Sequence, residues 1–158
     1  MNIEQASYLA TIVGAILIIP QVFIAVYSIV KNNQRERIKS TLDFYEEINQ
    51  AIKSQKKEIK EKYGEYISRE IAISIHEENK NVSEVNRVLN LYERLALGSN
   101  LGIYDLKTLN RISGKLLIEN YERYKEYIYY RRDINKAANA WIEFERMVLE
   151  LKKLREKG

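Results

Sequence analysis

The feature that most limits this chain is a run without charge. From residue 8 to residue 30, "YLATIVGAILIIPQVFIAVYSIV", 23 consecutive positions carry no Asp, Glu, Lys or Arg, although 30% of the chain is charged. Crossing the roughly 30 Å of bilayer hydrocarbon takes about 20 apolar residues at about 1.5 Å per residue. The run is long enough. A core helix of this length would have to be apolar on every side and wrapped by a large domain, whereas the rest of the chain is strongly amphipathic. A cleavable secretion signal has a basic start, a shorter apolar region and a small-residue cleavage site. Here Glu4 is the only charge before the run, and no Ala-x-Ala pattern follows it. Hydropathy therefore predicts a single transmembrane helix over residues 8–30.

Lys31, Arg35, Arg37 and Lys39 follow the run, and no Lys or Arg precedes it. Basic flanks stay on the cytoplasmic side. The expected arrangement is a short extracytoplasmic stub at residues 1–7, a cell-membrane location, and a cytoplasmic C-terminal part whose basic start attracts anionic head groups. Ala6, Ala10, Gly14, Gln21, Ala25 and Ser28 fall within one arc of about 100° on this helix. Small residues let helix backbones approach closely, and an amide in hydrocarbon gains by bonding to a partner helix. The stripe is a candidate self-association face. Its structural alternative is that Ala and Gly are common in spans, with Gln21 bonding a carbonyl that Pro20, lacking an N–H, leaves open.

Beyond the run there is room for one domain of ordinary size. The only proline lies within the run, and there is no cysteine, hence no disulfide framework and no thiolate metal site. Periodicity is helical throughout. Residues 31–62 read as a long basic juxtamembrane helix. Ile38, Tyr45, Ile52 and Ile59 recur every seven residues, but the companion positions Thr41, Ile48, Gln55 and Lys62 are mostly polar. Packing onto the chain's own domain is expected rather than a strong zipper.

Residues 63–158 are expected to form a helical domain. Gly64 breaks the long helix, residues 65–78 form a second, and Ser83 is placed to cap a third. The inward face of the third is Val85, Val88, Leu89, Tyr92, Leu95 and Ala96. Gly102 is placed to end it in a left-handed conformation. Asp105 can cap a fourth helix, running from Leu106 towards Arg132, and residues 137–157 make the last, with Trp141, Phe144, Val148 and Leu151 facing inward. The fold class that follows is all-α: a single N-terminal transmembrane helix and a cytoplasmic bundle of about four or five helices.

"LNLYERLALGSNLGIYDLKTL", then a tyrosine-rich helix ending in "YYRR", then "WIEFERM", together resemble the prokaryotic family of domain of unknown function 4760. The resemblance is best over residues 82–151. It implies a single N-terminal span ahead of a helical cytoplasmic domain, and it implies no activity.

On the fourth helix Leu117, Tyr121, Tyr124 and Ile128 make an apolar face from which Arg131 also projects. A buried guanidinium needs a carboxylate. Glu145, among Trp141, Val148 and Leu149, and Glu93, bordering the face of the third helix, are the expected partners in a buried polar network that fixes how three helices pack. An anion pocket built on Arg131 is the functional alternative.

Catalytic patterns are weak. His76, in "SIHEEN", lacks the second histidine four residues on that a metalloprotease helix needs, because Lys80 stands there. A surface position is expected. "GSNLG" has no preceding strand and no following Lys-Ser/Thr, so it reads as a helix terminator rather than a phosphate loop. The rings and arginines of "YERYKEYIYYRRD" are of a kind that binds nucleic acid. Yet Tyr121 and Tyr124 belong to the core face, while Glu119, Glu122, Glu126 and Asp133 dilute the positive charge. Nucleic acid is not an expected partner, and no catalytic residue, metal or cofactor is assigned.

Two functions fit these features. One is a membrane-anchored, non-enzymatic interaction or scaffold protein presenting its helical domain to a cytosolic partner. The other is a membrane effector, for example in defence or stress, whose spans assemble as a homo-oligomer through the small and polar stripe. The expected partners are the lipid bilayer, a cytosolic protein and a second copy of the chain.

Overall fold

The computed structural model describes residues 3–78 and 82–157, with side chains over 18–77 and 82–157. Five α-helices follow one another among the described residues: α1 (Ile3–Tyr63), α2 (Arg69–Glu78), α3 (Val82–Asn100), α4 (Leu106–Asn135) and α5 (Ile142–Glu156). The chain divides into two compact units, Met1–Arg37 and Ile38–Gly158. The first part of α1 belongs to one and its remainder to the other.

In the first unit, each of residues 18–30 is exposed, including Phe23, Ile24 and Tyr27. Among the described residues no helix is long and apolar enough to cross a membrane. The expectation of a transmembrane helix at 8–30 is corrected on that finding. Residues 18–30 are the part of the run whose side chains are described. α1 does not end with the run but continues from Lys31 through charged sequence to Tyr63. Of the association stripe, Ala6, Ala10 and Gly14 have side chains outside the described residues, while Gln21, Ala25 and Ser28 are exposed. Lys31, Arg35 and Arg37 are exposed, with the Lys31 ammonium 5.6 Å from the Tyr27 ring centre.

The second unit has one hydrophobic core. From α1 it takes Ile48, Ile52 and Ile59, with Phe44 and Tyr45 partly buried against them, so this stretch packs on its own domain. Lys39 is exposed on the same stretch. From α3 it takes Val85, Val88, Leu89, Tyr92, Leu95 and Ala96, the face that the 3-and-4 spacing predicts. α5 packs on both α3 and α4, and α2 packs on α4. Aromatic rings fill the centre. Phe144 stacks on Tyr92 with centroids 4.9 Å apart, and Tyr121 meets the same Phe144 edge-on at 5.5 Å.

Two helix starts differ from the sequence expectation, each for a tertiary reason, and one expected cap is not made. α2 begins at Arg69 rather than 65, because Gly64 takes a left-handed conformation (φ +85°) and the Ile67 amide donates to the Arg123 carbonyl at 3.0 Å. Ser68 then accepts from the Ile71 amide at 3.3 Å as the cap. Ser83 lies inside α3 and donates to the Glu84 carboxylate at 3.0 Å instead of capping. α5 begins at Ile142 rather than 137. Trp141, left-handed at φ +54°, anchors that start by donating its indole N–H to Asn90 Oδ1 at 2.9 Å.

Candidate functional site

The "GSNLGIY" stretch closes α3 and turns the chain into α4. The amides of Ile103 and Tyr104 both donate to the Gly98 carbonyl, at 2.8 and 3.1 Å, and Gly102, at φ +74°, donates to Ser99 at 3.0 Å. Asp105 caps α4 by accepting from the Thr108 amide at 2.7 Å, and its own amide donates to Thr41 Oγ1 at 2.8 Å. The turn is thereby tied to α1 through the Thr41 hydroxyl and to α4 through the Asp105 carboxylate.

Gly98 decides what the turn presents. A Cβ there would sit 2.3 Å from the Tyr104 ring. Only glycine admits the ring, which stacks on Phe44 with centroids 4.9 Å apart and planes 16° from parallel. With Tyr104 turned inward, Leu97, Leu101 and Ile103 face outward, 44%, 66% and 55% exposed. They border a groove of about 210 Å³ floored by Phe44 and Tyr104. The Arg94 guanidinium lies 5.9 Å from the Phe44 ring centre and is the one charged side chain in the lining. Burial pushes the Tyr104 phenol up, so it stays neutral. The surface can therefore bind apolar side chains and hold one anionic group at its edge.

The expected polar network is rearranged. Arg131 does not meet Glu145 or Glu93; its Nη1 lies 3.1 Å from His76 Nδ1 on α2. His76 is half-buried, edge-on to Tyr130 at 5.9 Å, which corrects the surface expectation. Arg132 takes the role assigned to its neighbour. It donates to Glu145 Oε2 at 2.7 Å and to the Ala140 carbonyl at 2.8 Å, and Tyr129 donates to Glu145 Oε1 at 3.2 Å. Successive helix residues point about 100° apart. On α4 that angle separates the side facing α2 from the side facing α5. The Tyr121 hydroxyl interacts with the same carboxylate, though its oxygen makes no well-formed hydrogen bond. Glu93 does reach α5, by its backbone: it accepts from the Glu143 and Phe144 amides at 3.1 and 2.8 Å. Burial raises its carboxyl, the two amides lower it in part, and the net direction is upward.

Lys56 is a further polar group that periodicity does not single out. It stands between the buried positions of α1 and donates to the Tyr92 hydroxyl at 3.1 Å. Burial, reinforced by the charge of Arg123, lowers its ammonium to about 8. Arg123 itself is held by the Glu65 carboxylate and carbonyl. Among the described residues no cluster of His, Cys, Asp and Glu is placed to hold a metal ion.

The groove has a sequence signal of a kind. A helix terminator is ordinarily polar, yet this one carries Leu97, Leu101 and Ile103 within seven residues. What the signal lacks is direction, because only the Gly98–Tyr104 packing turns those side chains outward. Among known proteins, the sequence model of the family described as Domain of unknown function (DUF4760) matches residues 15–151. No curated protein and no solved structure matches the chain.

Proposed function

From the premise that the chain belongs to the DUF4760 family, we propose that its second unit is a non-enzymatic interaction domain that docks an amphipathic helix of a partner protein in the groove of Phe44, Tyr104, Leu97, Leu101 and Ile103. The observation that carries this is the outward display of three large apolar side chains around a groove floored by the stacked rings of Phe44 and Tyr104. Apolar anchors spaced along one face of a helix fit such a groove. Arg94 adds selectivity. A guanidinium at the rim favours a helix that carries an Asp or Glu beside its anchors, which acts more on partner choice and encounter rate than on affinity. The alternative of an effector that assembles through its spans falls with the transmembrane helix.

The experiment is site-specific photo-crosslinking from position 101 in the cell that makes the protein, followed by binding of the captured partner in purified form. One dominant protein adduct is expected. Leu97→Asp, at an exposed position, should weaken the purified partner at least tenfold while leaving helical content unchanged. A variant that binds as tightly as the wild type, or a crosslinking pattern with no defined protein, would remove the groove from the function.

A further inference from the structure

A second cleft, of about 310 Å³, lies between the first half of α4 and the end of α5 and has the opposite character. Its lining carries three cations, Arg111, Lys115 and Arg155, against one carboxylate, Glu119. Lys115 and Glu119 pair at 3.7 Å, one turn apart on α4. Arg111 has no ion pair among the described residues, and Arg155 donates to a neutral acceptor, Asn110 Oδ1, at 3.3 Å. The charged side chains of the lining sum to +2.

Gly114 is the independent sign that the arrangement is built. Glycine is among the poorest residues for a helix interior, and this one sits in the third turn after the Asp105 cap. A Cβ at position 114 would come within 2.3 Å of Asn110 Oδ1 and 3.3 Å of Arg155 Nη1. The missing side chain lets the Asn110 carboxamide fold back over residue 114 and hold the Arg155 guanidinium at the mouth of the cleft.

We propose that this cleft binds a phosphate monoester. A phosphate monoester carries about −1.5 to −2 charges at pH 7, matching the lining, and presents the acceptor oxygens that a guanidinium fork engages in pairs. Ile112 and Leu116, both in the lining and half exposed, offer apolar contact to the organic part of the ester. A soluble ester and the head group of phosphatidic acid share this chemistry. The site is separate from the docking groove and does not depend on it.

The test titrates the full-length protein, as it purifies, with inorganic phosphate, with glycerol 3-phosphate, and with phosphatidylcholine vesicles with and without phosphatidic acid. Shifts are followed at the amides of residues 110–116 and 155. Saturable shifts confined to those residues are expected. Arg111→Met and Arg155→Met should each weaken binding at least tenfold. Gly114→Ala should do the same by displacing Asn110, and Arg146→Met, an exposed arginine elsewhere on α5, should leave it unchanged. Response to the soluble esters identifies a small-molecule ligand; response to phosphatidic acid vesicles alone, lost in the same variants, identifies a head group. Shifts that chloride reproduces at equal concentration, or binding that survives both arginine variants, overturn the proposal.

Discussion

Glu145 shows how much one carboxylate does at the α4–α5 contact. Its partner Arg132 has only 13% of its side chain exposed, so removing the charge strands a guanidinium. Glu145→Gln is expected to destabilise the protein by about 2 kcal/mol, read as a lower urea midpoint at unchanged slope. Burial pushes the Glu145 carboxyl up, but Arg132, with Tyr121 and Tyr129 beside it, outweighs burial and holds it below its ordinary 4.5. The stabilisation is therefore present above that value and disappears as pH falls through the lower folded value. The variant should lose that part of the acid dependence. Lys56 carries the reverse sign. Its folded value of about 8 lies below the ordinary 10.5, so between those two values the unfolded chain holds a proton that the folded protein has released, and stability rises with pH. Wild type should gain on Lys56→Met across that window. A side-chain NMR titration should place the Lys56 midpoint near 8; a midpoint at the ordinary value would contradict the burial assigned to it.

At the scale of the element, the end of α3 uses two glycines for unlike reasons. Gly102 supplies a left-handed backbone with open space around it, whereas Gly98 is helical and supplies space for the Tyr104 ring. Gly102→Ala should cost about 1–2 kcal/mol of backbone strain without disturbing the aromatic contacts. Gly98→Ala should cost about 1–3 kcal/mol through overpacking. It should also separate Tyr104 from Phe44, so that the near-ultraviolet circular dichroism changes in this variant alone. If both variants left that signal intact, the placement of the ring in the groove floor would not depend on Gly98. The terminating role of this stretch is legible in the sequence, since "GSNLG" ends a periodic run. Its role in shaping a surface is not, because the clash that excludes a Cβ comes from Tyr104, whose ring direction is settled by Phe44, 60 positions earlier.

For the molecule as a whole, the second unit has one core, to which α1 contributes Ile48, Ile52 and Ile59. Ile52 is fully buried, and Leu42, ten residues before it on the same helix, is 41% exposed. Ile52→Ala should cost about 2–5 kcal/mol and raise hydrogen exchange across α3, α4 and α5 together, while Leu42→Ala should stay within about 0.5 kcal/mol of wild type. A loss of protection restricted to α1 would show that helix to be an appendage. The sequence by itself determined the all-α class, the inward faces of α3 and α4, the cap at Asp105 and the burial of the Ile52 seam. Each of these follows from spacing within a few turns, where side-chain direction is set by the helix itself. Only the tertiary structure decided that Arg132 rather than Arg131 meets Glu145, that Trp141 starts α5 from a left-handed conformation, and that the α3 terminator opens a groove. Those outcomes depend on which helix lies against which side of α4, and on rings brought together from distant positions. A 100° step along a helix separates one neighbour from the other, and local periodicity carries no information about which neighbour is there.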